Sequence, residues 1–432
     1  MCTCTKISKI GGWNLMLHNN SKLISQVRDR FAHVDHCPFE GKRIFFENAG
    51  GALTLNSVVE TSAKFAAIPD NQGRDNKASK ALVDIINQSK EDMSAFFGTD
   101  SGTFFVGESG TEILFRLIRA AILGSKPGGL VLGSTLEHPA SVSACKKWAE
   151  LGSKTYMSVN HDNETGSIDA EAYLEAMTPD VRVATIIHTS PVTGMTVDVA
   201  KIAGVIRSVS PECFIIVDGI QHAAHGGLDV KSYGIDGYAV SPYKVFSRHG
   251  YGVGWLSDRL RDLPHDNLIG GPVHNWELGT RDTGSYAAFS DVVNYFDWLG
   301  SKVSNERTKR DRIVAAGRSI HEQEKALTDA MINGVGNLTG LANLPGIGIL
   351  GGAENSLREG LVSMTVKGLS AEQVVSSLRE KGIRVHARKA DHYSGNILKP
   401  LNLESCTRVS MCHYNTIEEV SDFLNVVRSL ID

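Results

Sequence analysis

Asp218, Gln221 and His222 follow one apolar run of the chain, and Ser241 and Lys244 follow the next. The first run, Phe214-Ile215-Ile216-Val217, is continuous and rich in β-branched residues, which suits a strand buried on both faces. Asp218 ends it, and a carboxylate at the C-terminal tip of a buried parallel strand sits where ligands bind in open α/β sheets. The second run, Gly237 to Ser241, predicts another strand, and Pro242-Tyr243-Lys244 places an amine just beyond it. A lone Asp here would read as a loop cap, and a lone Lys as a solvated side chain. Together, in this order, they suit pyridoxal phosphate. That cofactor needs a lysine amine for an aldimine and a carboxylate to keep its ring nitrogen protonated. It also needs donors for its phosphate.

The stretch resembles the class V aminotransferase family of pyridoxal-phosphate enzymes, in particular its cysteine desulfurase-like branch. The matching pieces are VDGIQHAAHGGLDV, the Ser-x-x-Lys from Ser241 to Lys244, and GYGVGWL after it. The likeness runs from about Arg43 to the C-terminus. It implies fold type I: an α/β large domain with a mostly parallel, seven-stranded-type sheet, and a smaller α+β C-terminal domain. The expected division is an N-terminal segment 1–42 contributing to the small domain, a cofactor-binding domain 43–290, and a linking helix with the small domain 291–432.

Roles follow from the resemblance residue by residue. Lys244 is expected to form the internal aldimine and then move the Cα proton. Asp218 is expected to hold the ring nitrogen, Gln221 the phenolic oxygen, and Ser241 the phosphate, with His222 near it and His225 behind. His138, in Glu137-His138-Pro139, supplies a ring to stack on the pyridine; on its own it reads as a structural loop histidine. Gly110 and Thr111 open a helix whose unpaired first-turn amides would receive phosphate. Gly279-Thr280 reads alone as a helix-capping loop, but the likeness puts Thr280 at the partner subunit's cofactor and implies a homodimer with shared sites. Arg408, in TRVSMCHYNTIEE, is expected to grip the substrate α-carboxylate as a bidentate pair. Asn48, in Glu47-Asn48-Ala49-Gly50-Gly51, falls in the family's entry segment and is assigned to substrate. The two glycines there suggest close backbone approach or a simple turn.

Two departures bear on the reaction. Pro191 stands where the family usually has asparagine, so that contact is lost or taken over by Ser190 or Thr193. No cysteine lies between Gly382 and Asn396, where cysteine desulfurases carry their nucleophile. Persulfide transfer by the usual route is therefore not expected. His386, Arg388, Lys389, His392 and Tyr393 fill that loop; they read equally as a solvated basic loop or as groups that meet a polar or anionic substrate side chain, and His392 is assigned to substrate. The expected activity is that of a pyridoxal-phosphate enzyme on a small amino acid: transamination or Cα/Cβ (C–S) lyase chemistry. Epimerisation is the alternative, and a silent cofactor-binding regulatory protein the non-enzyme alternative.

The elements that must position these groups alternate. Strands are predicted at Thr103–Val106, Leu130–Gly133, Val181–His188, Phe214–Val217 and Gly237–Ser241, with helical stretches between them, a pattern that argues for a parallel sheet wrapped by helices. Helices are also predicted at Ser21–Val34, Ser79–Phe97 and Glu306–Asn333. The C-terminal part reads strand, helix, strand, strand, helix, ending with Thr407–Met411 and Ile417–Ile431.

The whole chain has 432 residues, enough for two or three domains. Its formal net charge of −4 gives no electrostatic case for nucleic acid or an anionic membrane. Seven cysteines in so long a chain do not suggest a disulfide framework. Cys2 and Cys4 lack two further ligands nearby, so no metal site is expected. Met1–His18 lacks a signal-peptide core, and no apolar run is long enough to span a membrane; a cytoplasmic location is the expectation.

Overall fold

The computed structural model describes residues 17–354 and 356–431. The expectations for Cys2, Cys4 and most of Met1–His18 lie outside the described residues.

A seven-stranded sheet forms the centre of the molecule. Its strands are β1 (Thr103–Gly107), β2 (Leu130–Ser134), β3 (Thr155–Val159), β4 (Val181–Ile187), β5 (Phe214–Asp218), β6 (Gly237–Val240) and β7 (Gly252–Leu256). They lie in the order β1-β7-β6-β5-β4-β2-β3. β7 runs antiparallel to both its neighbours, and the other pairings are parallel. Ile215, Ile216, Val217 and Asp218 of β5 are all buried, as a strand covered on both faces requires. β3, an edge strand with mostly exposed residues, carries no such run and is absent from the elements read in the sequence.

Helices α1 (Gly110–Gly124) and α2 (Pro139–Leu151) cover one face. The long α3 (Thr283–Val303) and α4 (Lys309–Asn333) pack together beside the other face and lead into the second sheet. That sheet is antiparallel and four-stranded: β8 (Ile347–Ile349), β9 (Leu361–Val366), β10 (His386–Lys389) and β11 (Ser405–Ser410), in the order β8-β9-β11-β10. Its alternation is clean. Val362, Met364 and Val366 of β9 and Val409 of β11 enter a core with α5 (Ala371–Glu380) and α6 (Ile417–Ser429). Ser363, Arg408 and Ser410 point the other way, toward the large sheet. Both helices begin with a capping box, Ser370/Gln373 and Thr416/Glu419.

The N-terminal part crosses between the two cores. Leu23, Val27 and Phe31 pack in the large-sheet core, whereas Ile44–Phe45 pairs in parallel with Ile383–Arg384 and Phe46 enters the small core. Packing therefore passes from the large core to the small one within this segment. The helix read as Ser21–Val34 stops at Arg28, and Arg30 and Phe31 close it with backbone bonds to Val27 and Arg28.

Candidate functional site

The site is assembled at the C-terminal ends of β4, β5 and β6 and closed by the bare face of the small sheet. Asp218 is buried at the tip of β5, where one carboxylate oxygen accepts the amide of Ile220 at 3.0 Å. Burial pushes its carboxyl up to about 6, against the pull of that amide and of Lys244. A cationic ring nitrogen beside it would oppose that shift and favour the ionised carboxylate. Gly219 follows because any side chain there would overlap the Tyr238 ring.

Lys244 sits on a single 3₁₀ turn that Pro242 starts after β6. Its Nζ donates to Gln221 Oε1 at 3.1 Å. Burial and the Arg408 guanidinium lower its amine to about 7, which leaves much of it uncharged near neutrality. Gln221 is held from behind: its Nε2 lies 3.2 Å from His225 Nε2, and His225 Nδ1 meets Glu324 of α4 at 2.7 Å. His222 is committed elsewhere, paired with Glu359 at 2.7 Å and stacked on His188 at 3.5 Å between centroids.

His138 caps α2, its Nδ1 accepting the Ala140 amide at 3.1 Å. The remaining ring proton is thus on Nε2. Burial, with the nearby charges of Lys244, Arg388 and His392, lowers its pKa to about 4, so the ring is neutral. Glu137 beside it is fully enclosed and pushed up to about 8, accepting the Ile187 amide at 2.9 Å.

Gly110 begins α1 against β6. A Cβ there would overlap the Ser241 hydroxyl and lie 2.6 Å from Ile220 Cδ1. Ser109 takes the Glu112 amide at 3.2 Å, and the amides of Gly110 and Thr111 belong to the first turn, which has no partners inside the helix. This is a cradle of neutral donors at a helix N-terminus, the chemistry a phosphate requires. With the buried Asp218 and the Lys244 amine lowered to about 7, the residues present fit pyridoxal phosphate.

Arg408 lies buried on β11 and donates to the Pro191 carbonyl at 2.9 Å. Among the described residues it has no carboxylate partner, and its buried Nε is unbonded. The Ser190 hydroxyl accepts the Val192 and Thr193 amides, and Thr193 donates to Gly166 O at 2.8 Å. Pro191 instead contributes its carbonyl, which aims Arg408.

The remaining predicted residues separate. Asn48 is buried beneath the site: its amide nitrogen reaches Phe45 O, Ser410 O and Asn415 Oδ1, and its oxygen accepts the Tyr414 hydroxyl. The structure spends its donors on joining the entry segment to β11, which leaves none for a substrate. Gly51, two residues past Ala49, packs tightly under the Tyr243 ring. His392 is exposed at the cleft mouth, 4.1 Å from the Tyr393 ring, which in turn lies 5.8 Å from His138. Thr280 is exposed and its hydroxyl has no partner among the described residues; Arg281 ties its loop to Glu108 ahead of α1. Glu324, in His321-Glu322-Gln323-Glu324-Lys325, and Glu359, between Arg358 and Gly360, escaped the sequence reading because nothing in their spacing marks burial.

The chain matches the profile of the family described as aminotransferase class-V over residues 44–423. It belongs to the class V aminotransferase family. The family is one of pyridoxal-phosphate enzymes, and the chain is accordingly an enzyme of that kind. It is 26% identical over 430 residues to the aminotransferase-like protein FGM3 of Gibberella zeae, covering 94% of this chain and 98% of that protein. It is also 26% identical over 414 residues to the cysteine desulfurase-like protein ustD of Aspergillus flavus, covering 90% and 88%. The fold matches an apo cysteine desulfurase of Thermococcus onnurineus with a TM-score of 0.77 at 21% identity, over 90% of this chain and 94% of that one. It matches the Escherichia coli cysteine desulfurase CsdA with a TM-score of 0.76 at 20% identity, over 96% and 100%. In this class V protein no helix among the described residues is long and apolar enough to cross a membrane.

Proposed function

We propose that this protein binds pyridoxal phosphate through Lys244 and acts on a small amino acid by removing its Cα proton, with transamination or Cα/Cβ (C–S) lyase chemistry as the outcome. The observation that carries this reading is the meeting of a buried Lys244, a buried Asp218 and an unpaired buried Arg408 in one cleft. The bound cofactor supplies an electron sink for negative charge at the substrate Cα. Asp218 keeps its ring nitrogen protonated. Gly110, Thr111 and Ser241 hold its phosphate, His138 covers one ring face, and Gln221 meets its phenolic oxygen. Arg408, aimed by Pro191, takes the substrate α-carboxylate, and Lys244 receives the Cα proton and returns it. A persulfide step is not part of this reading. Cys406 is buried with its thiol pushed up to about 11, and Cys412 is buried with its thiol raised well above the ordinary value.

A homodimer that shares its sites belongs to the same reading. Leu268, Ile269 and Val273 are exposed on the segment leading to Thr280, an apolar surface a second copy would cover. The five described cysteines are free and buried, which supports a reducing, cytoplasmic location.

The test is an absorbance scan of the purified protein with pyridoxal phosphate while L- and D-amino acids are added, with mass analysis of products. A visible cofactor band that shifts with an amino acid, and a keto acid, alanine or sulfide as product, is the expected result. A band that no amino acid moves would end this reading.

A further inference from the structure

The bare face of the small sheet carries a second guanidinium. In β10 and β11 His386 lies opposite Arg408, and Arg388 opposite Cys406. Residues two apart on a strand share a face, so Arg388 is the diagonal neighbour of Arg408 on the side that closes the cleft. Arg388 is half-buried, its Nε is enclosed and unbonded, and among the described residues it makes no hydrogen bond or ion pair. Asp391 is the nearest acid by charge, but one oxygen is held by the Tyr393 amide at 2.8 Å and no ion pair forms. The Arg388 guanidinium lies 6.0 Å from the Tyr393 ring, and that ring lies 5.8 Å from His138. A chain of contacts thus connects Arg388 to the ring expected to cover the cofactor.

The remaining charges do not balance it. His386, next on the same face, is paired with Glu47 at 3.2 Å, and Glu47 also takes Arg384. The Arg388 charge reaches the site, since it opposes the charged forms of Lys244, His138 and Arg408. Two guanidiniums held side by side without a carboxylate are unfavourable until anions arrive. A substrate α-carboxylate answers one of them.

We propose that Arg388 is a specificity residue and that the substrate is an amino acid whose side chain carries a second anionic group, a carboxylate or a sulfinate. The inference rests on the reading of Arg408 and Lys244 given above. The phosphate of the cofactor is a different anion in a different place, at Gly110 and Ser241 on the large domain.

The experiment titrates the cofactor band of the holoenzyme with aspartate, glutamate and cysteine sulfinate, and with asparagine and glutamine as neutral isosteres, in both enantiomers. The same titration is run on Arg388→Gln and Arg388→Lys, with folding checked by circular dichroism and cofactor affinity measured separately. At least one acid should bind tenfold or more tighter than its neutral isostere. That ratio should fall toward one in Arg388→Gln and be partly kept in Arg388→Lys. Equal binding of acids and isosteres by the native protein would overturn the inference while leaving the functional reading intact. So would a preference that survives Arg388→Gln, or a variant whose main loss is cofactor affinity. A band that no amino acid shifts would instead strike the functional reading itself.

Discussion

Lys244 and Arg408 illustrate how single residues acquire chemistry from their surroundings. An ordinary lysine is fully protonated near neutrality, but Lys244 is brought down to about 7 by burial and by Arg408. Only the free amine attacks an aldehyde. Below pH 7 the protonated form dominates, so the rate of cofactor uptake by apoprotein should rise about tenfold per pH unit and level off above 7. Stopped-flow absorbance measures this, and a flat profile from pH 5.5 to 8.5 would contradict the shifted amine. Lys244→Ala should abolish the covalent cofactor band and slow any turnover by about 10²–10⁴-fold, the range for a lost general base. Arg408→Ala should weaken amino-acid binding by about 1.5–3 kcal/mol, the loss of a hydrogen-bonded charge contact. The same band shift reads it, and unchanged affinity would remove Arg408 from the carboxylate site.

At the scale of elements, the site depends on how closely α1 sits against β6. Gly110 allows the helix N-terminus to reach the Ser241 hydroxyl, and a methyl group would push them apart. Gly110→Ala should lower stability by about 1–3 kcal/mol, as overpacking does, and weaken pyridoxal phosphate binding at the same time. Equilibrium dialysis of cofactor alongside urea melts separates the two effects; full cofactor affinity in a folded variant would show that the cradle lies elsewhere. The pairing of β10 with β11 works the same way for the substrate side. Its register, and not the sequence distance between the residues, makes neighbours of Arg388 and Arg408.

Across the whole molecule, two sheets close on one cleft and an exposed apolar segment is left at the surface. Ile269 is fully exposed beside Leu268, an arrangement unfavourable for a lone subunit. Ile269→Asp should raise the dimer dissociation constant at least tenfold, about 1.4 kcal/mol, with sedimentation velocity as the measurement. A native protein that sediments as a monomer at micromolar concentration would exclude the shared-site dimer.

The sequence by itself determined the parts of this protein that local chemistry dictates. A continuous β-branched apolar run ending in Asp218 suits a strand buried on both faces, and the strand at Leu361–Val366 and the helix after Thr416 are equally local in origin. The Lys244 turn and the helix at Gly110 were legible in the same way and point to the family, and the absence of a loop cysteine was legible as a departure from its desulfurases. Tertiary structure decided what each polar group had left to offer. Asn48 and His222 carry the right chemistry, but Ser410, Tyr414 and Glu359, far away in sequence, consume it. Arg408 and Arg388 look like ordinary strand arginines until packing shows that no carboxylate reaches them. Hydrogen-bond capacity and charge balance are settled by neighbours in space, and the one-dimensional chain does not record which neighbours those will be.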